Sequence, residues 1–256
     1  MARLILNPLR ETGSILAVVL AWYWASATHL VTDFLLPTPL SVIQRIGADA
    51  MSGDLPAALE RTIGAALAGF AIAGVVGTAL GIAMARVRAV RWFFDPLISI
   101  GFPMPKIAFL PIFLLWLGPT IAAEITIVAF TVLFPVATAA EAGAEGIETV
   151  MLWSARSLGA REGQMLWQIV LPAITPQLLT GLQIALPIAL ITAIVAEMLT
   201  GSDGVGGAML AAMRFADSPG VFAGIIEIAV LGYGLVKMVE WLRAALLRWH
   251  SETAAW

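Results

Sequence analysis

The sequence predicts an all-α integral membrane protein, and three observations carry that prediction. The 256 residues are 60% hydrophobic and only 12% charged, where soluble domains are about 45–50% apolar and about 25% charged. Mean hydropathy is +0.94. Apolar stretches near the roughly 20 residues that cross a bilayer as a helix recur along the chain. The alternating ten-residue pattern of a membrane barrel is absent. In lipid each backbone N–H and C=O must be satisfied within its own segment, so the stretches are helices.

Six spans are expected within a single transmembrane domain covering residues 1–256. They run over about 15–35, 62–85, 92–117, 121–140, 174–199 and 221–242, the third interrupted by Pro103, Pro105 and Pro111 and the fifth holding Pro187. Arg3 and Arg10 ahead of the first run could open a signal peptide. That run, residues 14–36, exceeds the 7–15 residues of such a segment, so an uncleaved span is expected. Orientation follows from the basic residues. With both termini cytoplasmic, nine fall inside (Arg3, Arg10, Arg86, Arg88, Arg91, Arg156, Arg161, Arg243, Arg248) and three outside (Arg45, Arg61, Arg214).

Between spans one and two, Val42, Ile46, Leu55 and Leu59 alternate with Asp49, Asp54 and Glu60. This pattern fits an amphipathic piece on the outer interface or a soluble loop helix. In span two a small residue stands at every fourth position: Ala65, Gly69, Ala73, Gly77 and Gly81. Such stripes let helices approach closely in lipid. Packing inside the bundle is the expected use, a contact between subunits the alternative.

Several functions are excluded or disfavoured. The chain has no cysteine, hence no disulfide, thiolate metal site or cysteine nucleophile. It has neither HExxH nor GxSxG, and His29 and His250 fall near opposite faces, so no intramembrane enzyme is expected. It has no GxxxxGK[ST]. The glycine-rich stretch 201–207 lacks the lysine and reads as a tight loop. Nothing points to nucleic acid. Uphill transport therefore needs energy from a partner or an ion gradient.

Charges inside spans are costly and default to functional candidates. Here they are Lys106, Glu197, Glu227 and Lys237. A helix broken around Pro103 and Pro105 can line a pathway, where Lys106 attracts an anion; snorkelling is the competing use. Asp95 would lie about 16 Å from Lys106 along a helix, too far to pair. Glu197 braces the 201–207 loop or faces the pathway. Lys237 is expected to snorkel.

The segment from about 141 to 172 is too long and polar for a turn, and the charge count puts it inside. A helix over 148–158 exposes Val150, Met151, Leu152, Trp153 and Leu158, and Gly159 ends it. Apolar residues outside the membrane want a groove on a soluble partner, or else lie on lipid.

Trp153-Ser154-Ala155-Arg156-Ser157-Leu158-Gly159, nine residues, then Ile169-Val170-Leu171-Pro172 resembles the EAA motif of bacterial ABC-importer permeases. Trp153 and Ser154 depart from the usual Glu and Ala. Leu36-Pro37-Thr38-Pro39, Asp95-Pro96, Pro105 to Gly118, Thr180-Gly181-Leu182 and Ala196-Glu197-Met198 resemble the nitrate/sulfonate/taurine branch of that family. The resemblance implies a type I, binding-protein-dependent permease, non-catalytic, in the bacterial inner membrane. It implies a second permease copy, two ATP-binding subunits that hold ATP and Mg, and a periplasmic or lipid-anchored binding protein. No cofactor is expected in this chain. Trp153, Ser154, Ala155, Arg156, Leu158, Gly159, Ile169, Leu171 and Pro172 become the expected ATPase-coupling residues, with Leu171 and Pro172 redirecting the chain into span five. Pro103, Lys106, Thr180 and Glu197 are the pathway or gate candidates. The expected substrate is a small anion such as a sulfonate, taurine, nitrate or an aromatic carboxylate; a pyrimidine-like vitamin precursor, or a secondary carrier without ATPase, are the alternatives.

Overall fold

The computed structural model describes residues 2–28 and 31–247, with side chains from Gly13 onward. His29, Arg248 and His250, and the side chains of Arg3 and Arg10, lie outside the described residues. Eleven α-helices occur in this range, and no strand.

α1 (Ala2–Ala27) is followed by an irregular segment and α2 (Pro39–Ser52). The long α3 (Asp54–Arg86) leads into α4 (Arg88–Gly101), a 3-10 turn (Lys106–Phe109) and α5 (Leu110–Leu117). α6 (Ile121–Glu145) precedes the short α7 (Thr149–Ser157). α8 (Glu162–Met165) continues through a π turn (Leu166–Val170) into α9 (Leu171–Thr200). α10 (Val205–Arg214) and α11 (Ser218–Leu246) close the described chain.

Among the described residues, four helical runs are long and apolar enough to cross a membrane: α3, α6, the run Glu162–Thr200, and α11. α4 and α5 form a broken fifth, bent by 102°. The break falls at Pro103 and Pro105, where the missing N–H groups and the restricted preceding residues stop a helix. The expected first span corresponds to α1, a helix of 26 residues whose part with described side chains, Gly13–Ala27, is apolar. It ends at Ala27, eight residues before the expected end. Leu36 and Thr38 each precede proline, which disfavours helix, and the Trp22 indole N–H donates to the Pro37 carbonyl at 2.9 Å, folding the segment back along α1.

The core is the α3–α6–α9 contact. Ala65, Gly69, Ala73, Gly77 and Gly81 are all buried, and they face α6 of the same chain. A Cβ on Gly69 would lie 2.6 Å from the Val128 Cβ, and one on Gly81 2.3 Å from the Ala137 carbonyl. The small stripe is therefore used inside the bundle. Val128, Val132 and Val136 of α6 meet Ala185, Leu186, Ala189 and Leu190 of α9 in the same cluster.

Two expected boundaries are corrected. The amphipathic segment is not one piece: Gly53, at φ 89°, separates α2 from α3. Leu55 and Leu59 thus belong to the membrane helix, while Val42 buries fully. The segment between spans four and five is also shorter than 141–172. α6 continues to Glu145 and helix resumes at Glu162. Glu141 and Glu145 stay on α6, where both pair with Arg91 of α4, the first at 3.8 Å.

Leu171 and Pro172 do not redirect the chain. The helix runs through them, and its turn widens instead: the Leu171 N–H reaches back to the Leu166 carbonyl. Pro172 has no N–H to continue the regular ladder, and a π turn absorbs that defect without breaking the axis.

Gly81→Leu is expected to destabilise the protein by about 3 kcal/mol, since the obstruction is backbone that cannot move aside. Gly64→Leu, whose Cβ would meet nothing within 4 Å, should leave stability unchanged or raised. Thermal unfolding of both variants in detergent, followed by size-exclusion chromatography, checks the contrast.

Candidate functional site

α7 projects from one end of the bundle. A single side chain, Leu152, anchors it by burying among Ala144, Ile147, Val170 and Ile174. The other apolar residues point away: Val150, Met151, Trp153 (64% exposed) and Leu158 (88% exposed). Ser154 and Arg156 are exposed, and Ala155 is half-buried.

The end of α7 is closed by backbone alone. The Gly159 N–H donates to the Arg156 carbonyl at 2.9 Å and the Ala160 N–H to the Ala155 carbonyl at 3.0 Å. This paired pattern needs a left-handed residue, and Gly159 stands at φ 85°. Arg156 then reaches across the turn to Glu162 at 3.1 Å. The Arg161 N–H donates to the Gln164 side chain at 2.9 Å, starting α8. Ile169 and Leu171, in and after the π turn, pack on the same cluster as Leu152. α7 is therefore a rigid knob fixed to the feet of α6 and α9.

The opposite end holds two fully buried carboxylates, Glu124 and Glu197. Glu197, near the end of α9, takes the Thr62 hydroxyl at 2.8 Å and the Gly206 N–H at 3.0 Å. Thr62 in turn accepts the Val205 N–H at 3.0 Å. The pair thereby ties α3, α9 and the start of α10 together. The 201–207 loop folds over this carboxylate so closely that a Cβ on Gly204 would stand 2.1 Å from Glu197 Oε1. Glu124, in the first turn of α6, is 3.5 Å from Arg61 and accepts the Thr200 hydroxyl at 3.2 Å. A carboxylate at a helix N-terminus is also favoured by the helix dipole.

Of the pathway candidates, Pro103 and Thr180 are exposed, Thr180 bonding its own helix at the Pro176 carbonyl, 3.0 Å away. Lys106 sits at the helix break. Its ammonium donates to the Phe102 carbonyl at 2.6 Å and lies 4.9 Å from the centre of the Phe134 ring. Lys237 pairs with Glu240 at 2.7 Å. Glu227 lines a cavity of about 280 Å³ together with Arg45, Asp49 and Asp217. Sequence reasoning placed Arg61 among the outer cations and passed over Glu124. The available signal was a carboxylate three residues into an apolar span.

Removing the Glu197 carboxylate would strand the Gly206 N–H, at about 1–3 kcal/mol for an unsatisfied buried group, while the Thr62 hydroxyl could still donate to the Ala58 carbonyl at 3.0 Å. Glu197→Ala should therefore lower the thermal midpoint in detergent clearly, and Glu197→Gln, which keeps an acceptor, should lower it less. Equal losses in the two variants would show that the carbonyl acceptor is not what holds the loop.

Among solved structures, the fold is similar to an inward-facing MetNI methionine ABC transporter, with a TM-score of 0.58 at 17% identity over 75% of this chain and 98% of that one. It is also similar to an amino acid ABC transporter, with a TM-score of 0.62 at 15% identity over 79% and 96%. In sequence it is 33% identical to the taurine transport system permease protein TauC of Escherichia coli (strain K12), over 93% of this chain and 88% of that protein. It is 30% identical to the putative aliphatic sulfonates transport permease protein SsuC of Bacillus subtilis (strain 168), over 92% and 86%. The formylaminopyrimidine transport permease protein ThiX of Halalkalibacterium halodurans is 29% identical, over 95% and 97%. Residues 77–248 match the family of binding-protein-dependent transport system inner membrane components, a span that includes α7, the Gly159 turn, Glu124 and Glu197, and the chain belongs to that family.

Proposed function

We propose that this chain is one of two permease subunits in an ATP-driven importer of a small sulfonate-type anion. A binding protein delivers the substrate on the side of the 201–207 loop, and two ATP-binding subunits dock on the side of α7, which faces the cytoplasm along with both termini. The observation that carries the reading is α7 itself, a rigid helix outside the bundle whose apolar side chains are exposed apart from one anchor. ATP hydrolysis belongs to the docked subunits.

The mechanism follows from the anchoring. Closure of an ATPase pair displaces a helix seated in its groove, and α7 transmits that displacement through Leu152 to α6 and α9. The bundle then rocks as a body between two orientations. Nucleotide shifts that equilibrium only as far as the partner's affinity differs between the two states.

The likeness to TauC and SsuC supports a sulfonate. The likeness to ThiX supports a second reading, an uncharged pyrimidine-type precursor. Lys106 separates the two. On the sulfonate reading its ammonium leaves the Phe102 carbonyl and the Phe134 ring to meet a passing anion.

Gly159→Val is expected to leave the protein inserted and the complex assembled, because its Cβ meets nothing within 4 Å. It strains the turn by roughly 1–2 kcal/mol, misdirects α7 and uncouples ATP hydrolysis from uptake in proteoliposomes. Normal uptake by this variant would refute the coupling role. Lys106→Ala should lower uptake of taurine or an alkanesulfonate at least several-fold without loss of assembly. Co-purification from the native host, with an ATPase assay stimulated by the co-encoded binding protein, tests the importer itself. A chain that purifies without any ATP-binding subunit would overturn it.

A further inference from the structure

On the side of α3 turned away from α6 runs an apolar groove of about 660 Å³. Its α3 side combines the small residues Gly74, Thr78, Ala79 and Ala83 with Val75 and Ile82, and its far wall is Leu166, Trp167 and Leu171 from the π turn and the start of α9. Arg86 closes the end nearest α7. We propose that this groove binds one acyl chain of an anionic phospholipid of the leaflet nearest α7, with Arg86 holding the headgroup phosphate.

Dimensions and charge favour that occupant. From Gly74 to Arg86 the helix rises about 18 Å, close to the depth of one leaflet in a hydrocarbon core about 30 Å thick. Gly74, Thr78, Ala79 and Ala83, set between Val75 and Ile82, leave a shallow channel along α3. Arg86 lies in the last turn of α3 and close enough to Arg156 and Glu162 to interact electrostatically with both. Because Arg156 is paired with Glu162 at 3.1 Å, the cluster keeps a net positive charge. Trp167 is 70% exposed beside Arg86, and tryptophan favours the headgroup level. A basic pocket between membrane helices, with an apolar groove leading from it, is the chemistry that selects an anionic lipid over a zwitterionic one.

The site has a consequence for the helix that projects beside it. Leu166 and Leu171 line the groove and also pack on the Leu152 cluster. A chain lying in the groove fills the outer side of the π turn whose inner side anchors α7. Occupancy therefore stiffens the foot of α9 where α7 is attached.

The test uses the absence of native cysteine. Ala79→Cys is labelled with a bimane fluorophore in the complete transporter, reconstituted in phosphatidylcholine vesicles. Quenching is titrated with brominated phosphatidylglycerol and, separately, brominated phosphatidylcholine. Phosphatidylglycerol is expected to bind about five-fold more tightly, the equivalent of about 1 kcal/mol for one arginine near the surface, and Arg86→Gln should abolish that preference. Equal quenching by the two lipids overturns the proposal. So does disulfide cross-linking of Ala79→Cys between two copies, which would make the groove an interface between subunits. Neither outcome depends on substrate or on ATP hydrolysis, so failure here leaves the importer reading standing.

Discussion

The structure depends on how closely α3 and α6 approach. At Gly69 and Gly81 the backbone of α3 lies against side chains or carbonyls of α6 with no room for a methyl group, and at Gly77 a methyl would press on Val136 at 3.1 Å. Lipid tails are as apolar as leucine, so no hydrophobic force drives two such helices together. Close packing must supply the attraction, and only small residues permit it. With α3 and α6 fused along their length, α9 packs into the groove between them through Ala185, Ala189 and Ala193.

The two ends of that core are finished differently. At one end, buried polar groups lock it: Thr62 from α3, Glu124 from α6, and Glu197 and Thr200 from α9 meet in one network that also captures the 201–207 loop. A buried carboxylate is tolerable only when its acceptors are occupied, so the loop, whose glycines let the Gly206 N–H reach Glu197, and the carboxylate require each other. At the other end the connections are few. α7 hangs on Leu152, a two-bond glycine turn and an exposed ion pair. Exposed ion pairs contribute little, so apolar contact fixes its position. The first end is held by a buried polar network, and at the second a single apolar contact fixes α7 to the bundle.

Much of this was legible from residues. Hydropathy located the long crossings because a bilayer enforces their length, and the four-residue spacing of alanine and glycine located the face that packs. Gly159 and the proline pair at 103 and 105 announced a helix stop and a helix break, each through a local backbone rule. What escaped had no local rule. α6 runs on past its apolar stretch because Glu141 and Glu145 find Arg91 on another helix, a pairing visible only in three dimensions. In the sequence alone Pro172 marks a corner, since the choice between breaking a helix and widening one turn is made by what packs around it. Glu124 and Arg61 meet across 63 positions of sequence, and neither carries a motif.

The arrangement of α7 bears on how a soluble partner can drive a membrane core. Val150, Met151, Trp153 and Leu158 remain exposed, and burying each fully in a groove would contribute about 1.5–3 kcal/mol. Reversing a two-state population from 1:99 to 99:1 takes about 5.5 kcal/mol of differential affinity. A partner that engages these four side chains well in one state and poorly in the other has that much at its disposal without touching the membrane. The anchor contributes one leucine to the opposing side. On the proposed docking reading, α7 offers a partner more apolar surface than it buries against its own chain, and the Leu152 contact joins it to α6 and α9, because the Gly159 turn ends α7 before helix resumes at Glu162.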